Sequence, residues 1–168
     1  MKRVYKFALL ILIYNGISWS SIAQEPKRLA PNFRLQNQEG KYVSLTDYKG
    51  KVIYLDFWAT WCKPCLEEVP GSIKLNKKLS SDTNIVFMAV SIDSETERWK
   101  QMLEKKKMIG VQLISIAGKE SDVLLNYQVA TIPRFIVIDK NGYIVLNNAQ
   151  GPREDGMEEF LIMISKQD

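Results

Sequence analysis

Val52-Ile53-Tyr54-Leu55-Asp56-Phe57 runs through Trp58-Ala59-Thr60 into Trp61-Cys62-Lys63-Pro64-Cys65. The first six residues are β-branched, aliphatic or aromatic with one acid among them, the make-up of a strand buried in the middle of a sheet. Beyond Cys62, apolar residues at Leu66, Val69, Ile73 and Leu75 keep helical spacing, which predicts a helix over residues 62–79. Pro70 lies inside it without a backbone N–H to donate, so a kink is expected there. A central strand followed directly by a helix with two cysteines in its first turn indicates an α/β protein and marks where its chemistry sits.

Outward from this segment the remaining elements follow. Residues 25–31 read as an irregular lead-in. Residues 33–35 and 42–45 flank Asn37-Gln38-Glu39-Gly40, the pattern of a β-hairpin, and Lys49-Gly50-Lys51 is a turn. On the C-terminal side, residues 85–91 form a second buried strand. Ser94-Glu95-Thr96-Glu97 has capping-box spacing and opens a helix to Met108. A short strand over 111–116 and a short helix over 121–127 come next. Strands at 135–138 and 143–146 are joined through Lys140-Asn141-Gly142, where Asn-Gly tolerates the positive φ angles of a tight hairpin. Met157, Phe160, Leu161 and Ile164 repeat at helical spacing and predict a final helix packed on the sheet. The order of elements gives an α/β sandwich with a mixed sheet flanked by helices.

The chain has 168 residues, 46% of them hydrophobic and 25% charged, enough for one core without disulfide staples. Lys2, Arg3 and Lys6 account for three of the 23 cations, and no acid precedes Glu25. The remaining 20 cations face 19 acids, so the basic balance belongs to the leader and implies no nucleic-acid partner. Lys105-Lys106-Lys107 ends a predicted helix, where cations suit the macrodipole. Histidine is absent. That excludes Ser-His-Asp and Cys-His catalysis, and two cysteines alone cannot complete a four-ligand metal shell, so no metal is expected.

Residues 1–23 read as a secretory signal peptide: a charged start, an apolar run over 7–13, and small residues at Ser21 and Ala23 for cleavage before Gln24. The alternative is an uncleaved membrane anchor, against which Asn15 and Gly16 interrupt a stretch shorter than the roughly 20 apolar residues of a spanning helix. Residues 24–168 then form one domain outside the cytoplasm, where disulfides persist.

The reactive form of cysteine is the thiolate, and a free thiol near pKa 8.5 is mostly protonated at neutral pH. The unpaired N–H groups and dipole of a helix N-terminus favour the anion, and Lys63 adds a cation. Cys62 is therefore the expected attacking sulfur, with Cys65 one turn inside to resolve the mixed disulfide and Pro64 restricting the loop between them. An inert bridge closing so small a loop would constrain little unfolded-chain entropy.

The segment 56–65 resembles the active-site segment of the thioredoxin superfamily. Together with Ala30-Pro31-Asn32-Phe33, Tyr48-Lys49-Gly50-Lys51 and Thr131-Ile132-Pro133 it resembles the exported TlpA/ResA-like branch. The resemblance implies a thioredoxin-like fold with an N-terminal β-hairpin extension. It implies that Pro133 is cis and faces the sulfurs, bringing the backbone of Ile132 beside Cys62 to pair with substrate. Asp56 matches thioredoxin's buried acid, and Glu68 matches the acid of many TlpA/ResA-like reductases. Either could take the proton of Cys65. Glu68 could equally be a solvated helix acid, as Glu67 is read to be. Arg134 departs from the small hydroxyl residue of many relatives; it could steer acidic substrates, lower the Cys62 pKa or point to solvent. Trp58 and Trp61 read as packing and as an apolar rim, so Trp61, Lys63, Pro64, Ile132, Pro133 and Arg134 are the expected substrate-binding residues.

The expected function is reduction of protein disulfides in the periplasm through Cys62 and Cys65, with no cofactor beyond that redox-active pair. A monomer is expected, supplied with electrons by a membrane thiol–disulfide carrier, and apocytochrome c is among the substrates the resemblance implies, placing it in cytochrome c maturation. The alternatives are a net oxidant and a non-catalytic binding module. Strong oxidants typically carry a histidine in the place of Lys63-Pro64, and a binding module would be expected to have lost a cysteine. A peroxidase fits poorly, because its proline and threonine would fall on Leu55 and Ala59.

Overall fold

A computed structural model describes residues 28–167. Its framework is one eight-stranded sheet of β1 (Arg28–Leu29), β2 (Arg34–Asn37), β3 (Tyr42–Ser44), β4 (Val52–Trp58), β5 (Ile85–Ser91), β6 (Val111–Ile114), β7 (Arg134–Ile138) and β8 (Tyr143–Ala149), in the order β1-β8-β7-β4-β5-β6-β2-β3. β4, β5 and β6 are parallel, and every other pairing is antiparallel, which makes the sheet mixed. Among the described residues four α-helices flank it: α1 (Lys63–Lys78), α2 (Thr96–Lys106), α3 (Asp122–Tyr127) and α4 (Met157–Ser165).

Alternation along β4 builds two cores. Ile53, Leu55 and Phe57 join Trp99, Leu103, Val123, Leu124 and Tyr127, so α2 and α3 cover that face. Val52 and Tyr54 join Leu75, Leu79, Met157, Leu161 and Ile164, so α1 and α4 cover the other. Asp56 continues the second set and is thereby aimed beneath α1. The parallel strands are buried almost throughout, which is why β4 and β5 are legible as continuous apolar runs.

The N-terminal hairpin is present as expected. β2 and β3 pair Arg34 with Ser44 and Leu35 with Val43, and β2 adds the hairpin to the free edge of β6. The predicted leader lies outside the described residues. Among those described, no helix is long and apolar enough to cross a membrane.

Several local expectations are corrected. The lead-in is not wholly irregular: Arg28 and Leu29 pair with Ile144 and Tyr143, and the Ala30 N–H donates to Gly142 O. An edge strand of two residues needs no apolar alternation and so leaves no pattern to read. The capping box of Ser94 does not form. The chain is still extended at Glu95, and α2 begins at Thr96 without a side-chain cap. Asp93, two residues earlier, is tied by its side chain to Thr60 and Ser91, which holds the strand exit straight. α2 stops at Lys106, with Lys107 in the left-handed region, and β6 stops at Ile114. In the 139–143 turn only Gly142 has positive φ. Asn141 is held instead by its N–H to Asp139 Oδ1, which also accepts from the Tyr143 N–H. The helix expected over 62–79 is α1, Lys63 to Lys78, and Pro70 lies inside it.

Candidate active site

β4 ends at Trp58, and the turn Ala59-Thr60-Trp61 delivers Cys62 to the N-cap of α1. Cys62 and Cys65 are bonded to each other. The Cys65 N–H donates to Cys62 Sγ at 3.2 Å, so the sulfur takes the place of the oxygen of an ordinary N-cap residue. Pro64 at the second helical position costs nothing, because N–H groups in the first turn have no partner in the helix. Both cysteines are buried, at 5% and 3% exposure, so in the bonded state exposure scarcely separates them and their difference is positional. Lys63 and Pro64 face solvent, and Trp61 is half-exposed.

The Ile132–Pro133 bond is cis, as expected from the resemblance. Ile132 and Thr131 line one groove with Trp61, Ile92, Leu124 and Val129, a largely apolar cavity of about 360 Å³ that reaches the residue preceding Cys62. Such a groove can hold apolar side chains of an extended segment paired along residue 132. Arg134 does not turn freely to solvent or toward the sulfurs: its Nε donates to Asn147 O of β8 at 2.7 Å.

Both acids are partly covered, and each keeps one buried oxygen without a protein hydrogen-bond partner, Asp56 Oδ1 and Glu68 Oε2; Asp56 is the one that lines a narrow cleft under α1. Burial first, and then the charge of Glu68, push its carboxyl up to about 8. The same cleft is lined by Val69, one helical turn after Cys65, which sets the resolving sulfur at the head of the helix face that covers Asp56. Glu68 turns inward, unlike exposed Glu67, but it is held by Arg153, whose Nε donates to Glu68 Oε1 at 2.9 Å. Gly151 belongs to this arrangement, since a Cβ there would lie 3.1 Å from Glu68 Oε2.

Sequence reasoning missed the support under the turn. Asp93 is 2% exposed and accepts from the Thr60 N–H at 2.9 Å, Thr60 Oγ1 at 2.7 Å and Ser91 Oγ at 2.6 Å. The signal was an acid at the end of an otherwise apolar strand. Asp93→Ala strips three buried donors of their acceptor and should cost about 2–3 kcal/mol in a denaturant titration, with Asp93→Asn costing less.

The Redoxin family pattern matches residues 25–161. The chain belongs to the Redoxin family. Among its relatives are the thiol-disulfide oxidoreductase ResA of Bacillus thuringiensis subsp. konkukian, 29% identical over 91% of this chain and 86% of that protein, and ResA of Bacillus subtilis, 30% identical over 82% and 75%. A crystal structure of a candidate thiol-disulfide oxidoreductase from Bacteroides vulgatus is 36% identical, with a TM-score of 0.75 over 83% of this chain and 96% of that one. The protein is a TlpA/ResA-like member of the thioredoxin superfamily and a thiol–disulfide oxidoreductase through Cys62 and Cys65.

Proposed function

We propose that this protein reduces disulfides of other proteins outside the cytoplasm, with Cys62 attacking, Cys65 resolving and Asp56 taking the proton of Cys65. The observation that carries the reading is the seat of Cys62: the N-cap of α1, with a backbone N–H on its sulfur and the groove of Trp61 and Ile132 reaching the residue before it. In the reduced protein the Cys62 thiolate attacks one sulfur of a substrate disulfide. The S–S bond breaks, the other substrate sulfur leaves as a thiolate, and a mixed disulfide forms on Cys62. The ionised form of Asp56, a minor fraction at neutral pH that grows toward pH 8, takes the proton of Cys65; Cys65 then attacks Cys62 Sγ, so the second substrate sulfur leaves and the Cys62–Cys65 bond forms. Two electrons have passed to the substrate, whose thiolates take protons from water. Trp61, Lys63, Pro64, Ile132 and Pro133 surround the substrate segment, with Arg134 contributing through its backbone while its side chain is held on β8.

The reaction runs on the two sulfurs without a resident cofactor and needs only a monomer. A membrane thiol–disulfide carrier returns the electrons, and cysteines of apocytochrome c are the substrate class suggested by the TlpA/ResA resemblance. The leader directs the chain to the periplasm and is cut after Ala23. Expressing Cys65→Ser in the host and isolating what stays bonded to Cys62 tests this. A periplasmic chain beginning at Gln24 and carrying cysteine-containing proteins is expected. A chain that begins at Met1 in the membrane overturns the cleavage, and one that traps no protein overturns the substrate class.

A further inference from the structure

Three buried side-chain oxygens among the described residues lack a hydrogen-bond partner, Glu68 Oε2 on α1, Asp56 Oδ1 on β4 and Gln112 Oε1 on β6, and of these Asp56 and Gln112 line one cleft beneath α1. The register brings them together. Asp56 pairs with Ala89 across β4 and β5, and Ala89 pairs with Gln112 across β5 and β6. Residues in register on neighbouring parallel strands point to the same face, so the acid and the amide flank a side chain that ends at its methyl. The space over Ala89 is a cleft of about 30 Å³ that Asp56 and Gln112 both line, roofed by Val69, Ser72 and Asn76 of α1. That is room for about one or two waters. Gln112 is 6% exposed, and its Nε2 donates to Ile109 O at 2.8 Å, which fixes the amide so that Oε1 turns into the cleft. Ile109, at the cleft's rim, is 37% exposed and marks its way out to solvent.

Resting on the reading of Asp56 as the proton acceptor of Cys65, we propose that Asp56 passes this proton to solvent through water held over Ala89 by Gln112 Oε1, and not past the two sulfurs. A water donating one hydrogen to Gln112 Oε1 has its second hydrogen to give the Asp56 carboxylate and a lone pair to take the proton from the carboxylic acid. Each turnover loads one proton on Asp56 from Cys65. The water carries it outward between α1 and Ile109, and the carboxylate is restored for the next cycle. The titratable groups coupled to Asp56 are Glu68 on α1 and Tyr54 on its own strand, and Cys65 lies one helical turn before Val69 of the cleft's roof. Arg153 and Glu154, from the segment before α4, act on Glu68 and Tyr54, and β5 and β7 present uncharged Ala89 and Phe135.

The test uses the full chain with Gln112→Met, which keeps the volume and removes the acceptor, and Ala89→Val, which fills the cleft and leaves Gln112 in place. Insulin disulfide reduction is followed against pH for each, alone and combined with Asp56→Asn. Both single variants should slow turnover about threefold or more and move the limb due to Asp56 upward by about half a unit, because its carboxylate loses hydration. Neither should add to the loss caused by Asp56→Asn. Folded variants with the wild-type profile, while Asp56→Asn is slow, overturn the water route and leave the role of Asp56 standing. A fast Asp56→Asn overturns that role and the route with it. The oxidised wild type gives a check that needs no variant. Its sulfurs carry no proton, so the 13C-labelled Asp56 carboxyl should still titrate in rapid exchange with solvent, and slow exchange overturns the route.

Discussion

Cys62→Ser should abolish disulfide reduction, whereas Cys65→Ser should still perform the first half of it and stop as a mixed disulfide. The asymmetry follows from position, because exposure in the bonded state hardly distinguishes the two sulfurs. Cys62 caps α1 and already accepts the Cys65 N–H at 3.2 Å. When the bond is reduced, that donor and the other free N–H groups of the first turn stabilise a thiolate at Cys62. Lys63 adds less, since its exposed ammonium is screened by water and salt. Cys65 lies within the first turn and receives no such donors. Alkylation rate against pH, measured on each serine variant, should therefore show Cys62 titrating below the free-thiol value of about 8.5 and Cys65 above it. A faster Cys65 at neutral pH reverses the roles assigned to the sulfurs.

How much of this was legible in the sequence depended on whether a feature repeats locally. β4, β5 and α1 carry long apolar patterns, so their limits could be read to within a residue or so, and Cys62 and Cys65 stood out because so little else reactive is present. Features made by contacts between distant segments left no local trace. β1 exists because β8 offers it an edge, and Asp93 matters because Thr60, 33 residues earlier, needs an acceptor. Arg153 lies 85 residues from Glu68, so nothing around Glu68 announces that its charge is held. The failed cap at Ser94 shows the converse: a correct local motif yields when a buried network next to it fixes the backbone first. The cis state of Pro133 was legible only through the family resemblance, since Thr-Ile-Pro ahead of a strand is compatible with either isomer.

Asp56→Asn should slow disulfide reduction about tenfold or more and, at the same time, make the protein more stable at neutral pH. The two effects share a cause. Burial and the charge of Glu68 raise the Asp56 carboxyl to about 8 in the folded chain, against about 4 when unfolded. Between those values the folded state holds a proton that the unfolded state has lost. Folding stability is thus full below about pH 4 and falls as pH rises toward 8. If the shift is fully expressed, the fall by pH 7 is on the order of 4 kcal/mol, an upper figure because Asp56 keeps some contact with the cleft. Asparagine keeps the size and polarity, cannot ionise and cannot take the proton of Cys65. Its denaturation midpoint should match wild type near pH 4 and exceed it at pH 7, while its turnover is slow at both. Glu68→Gln tests the neighbouring charge: with that charge gone the Asp56 limb should move down, while Arg153 keeps a neutral oxygen to bond. A variant damaged merely in its packing loses activity and stability together. Activity lost while stability is gained is the signature of an acid kept under α1 for its proton. Rates within about twofold of wild type for Asp56→Asn, Glu68→Gln and the double variant would remove both carboxylates from the reaction and leave water to take the proton of Cys65 directly.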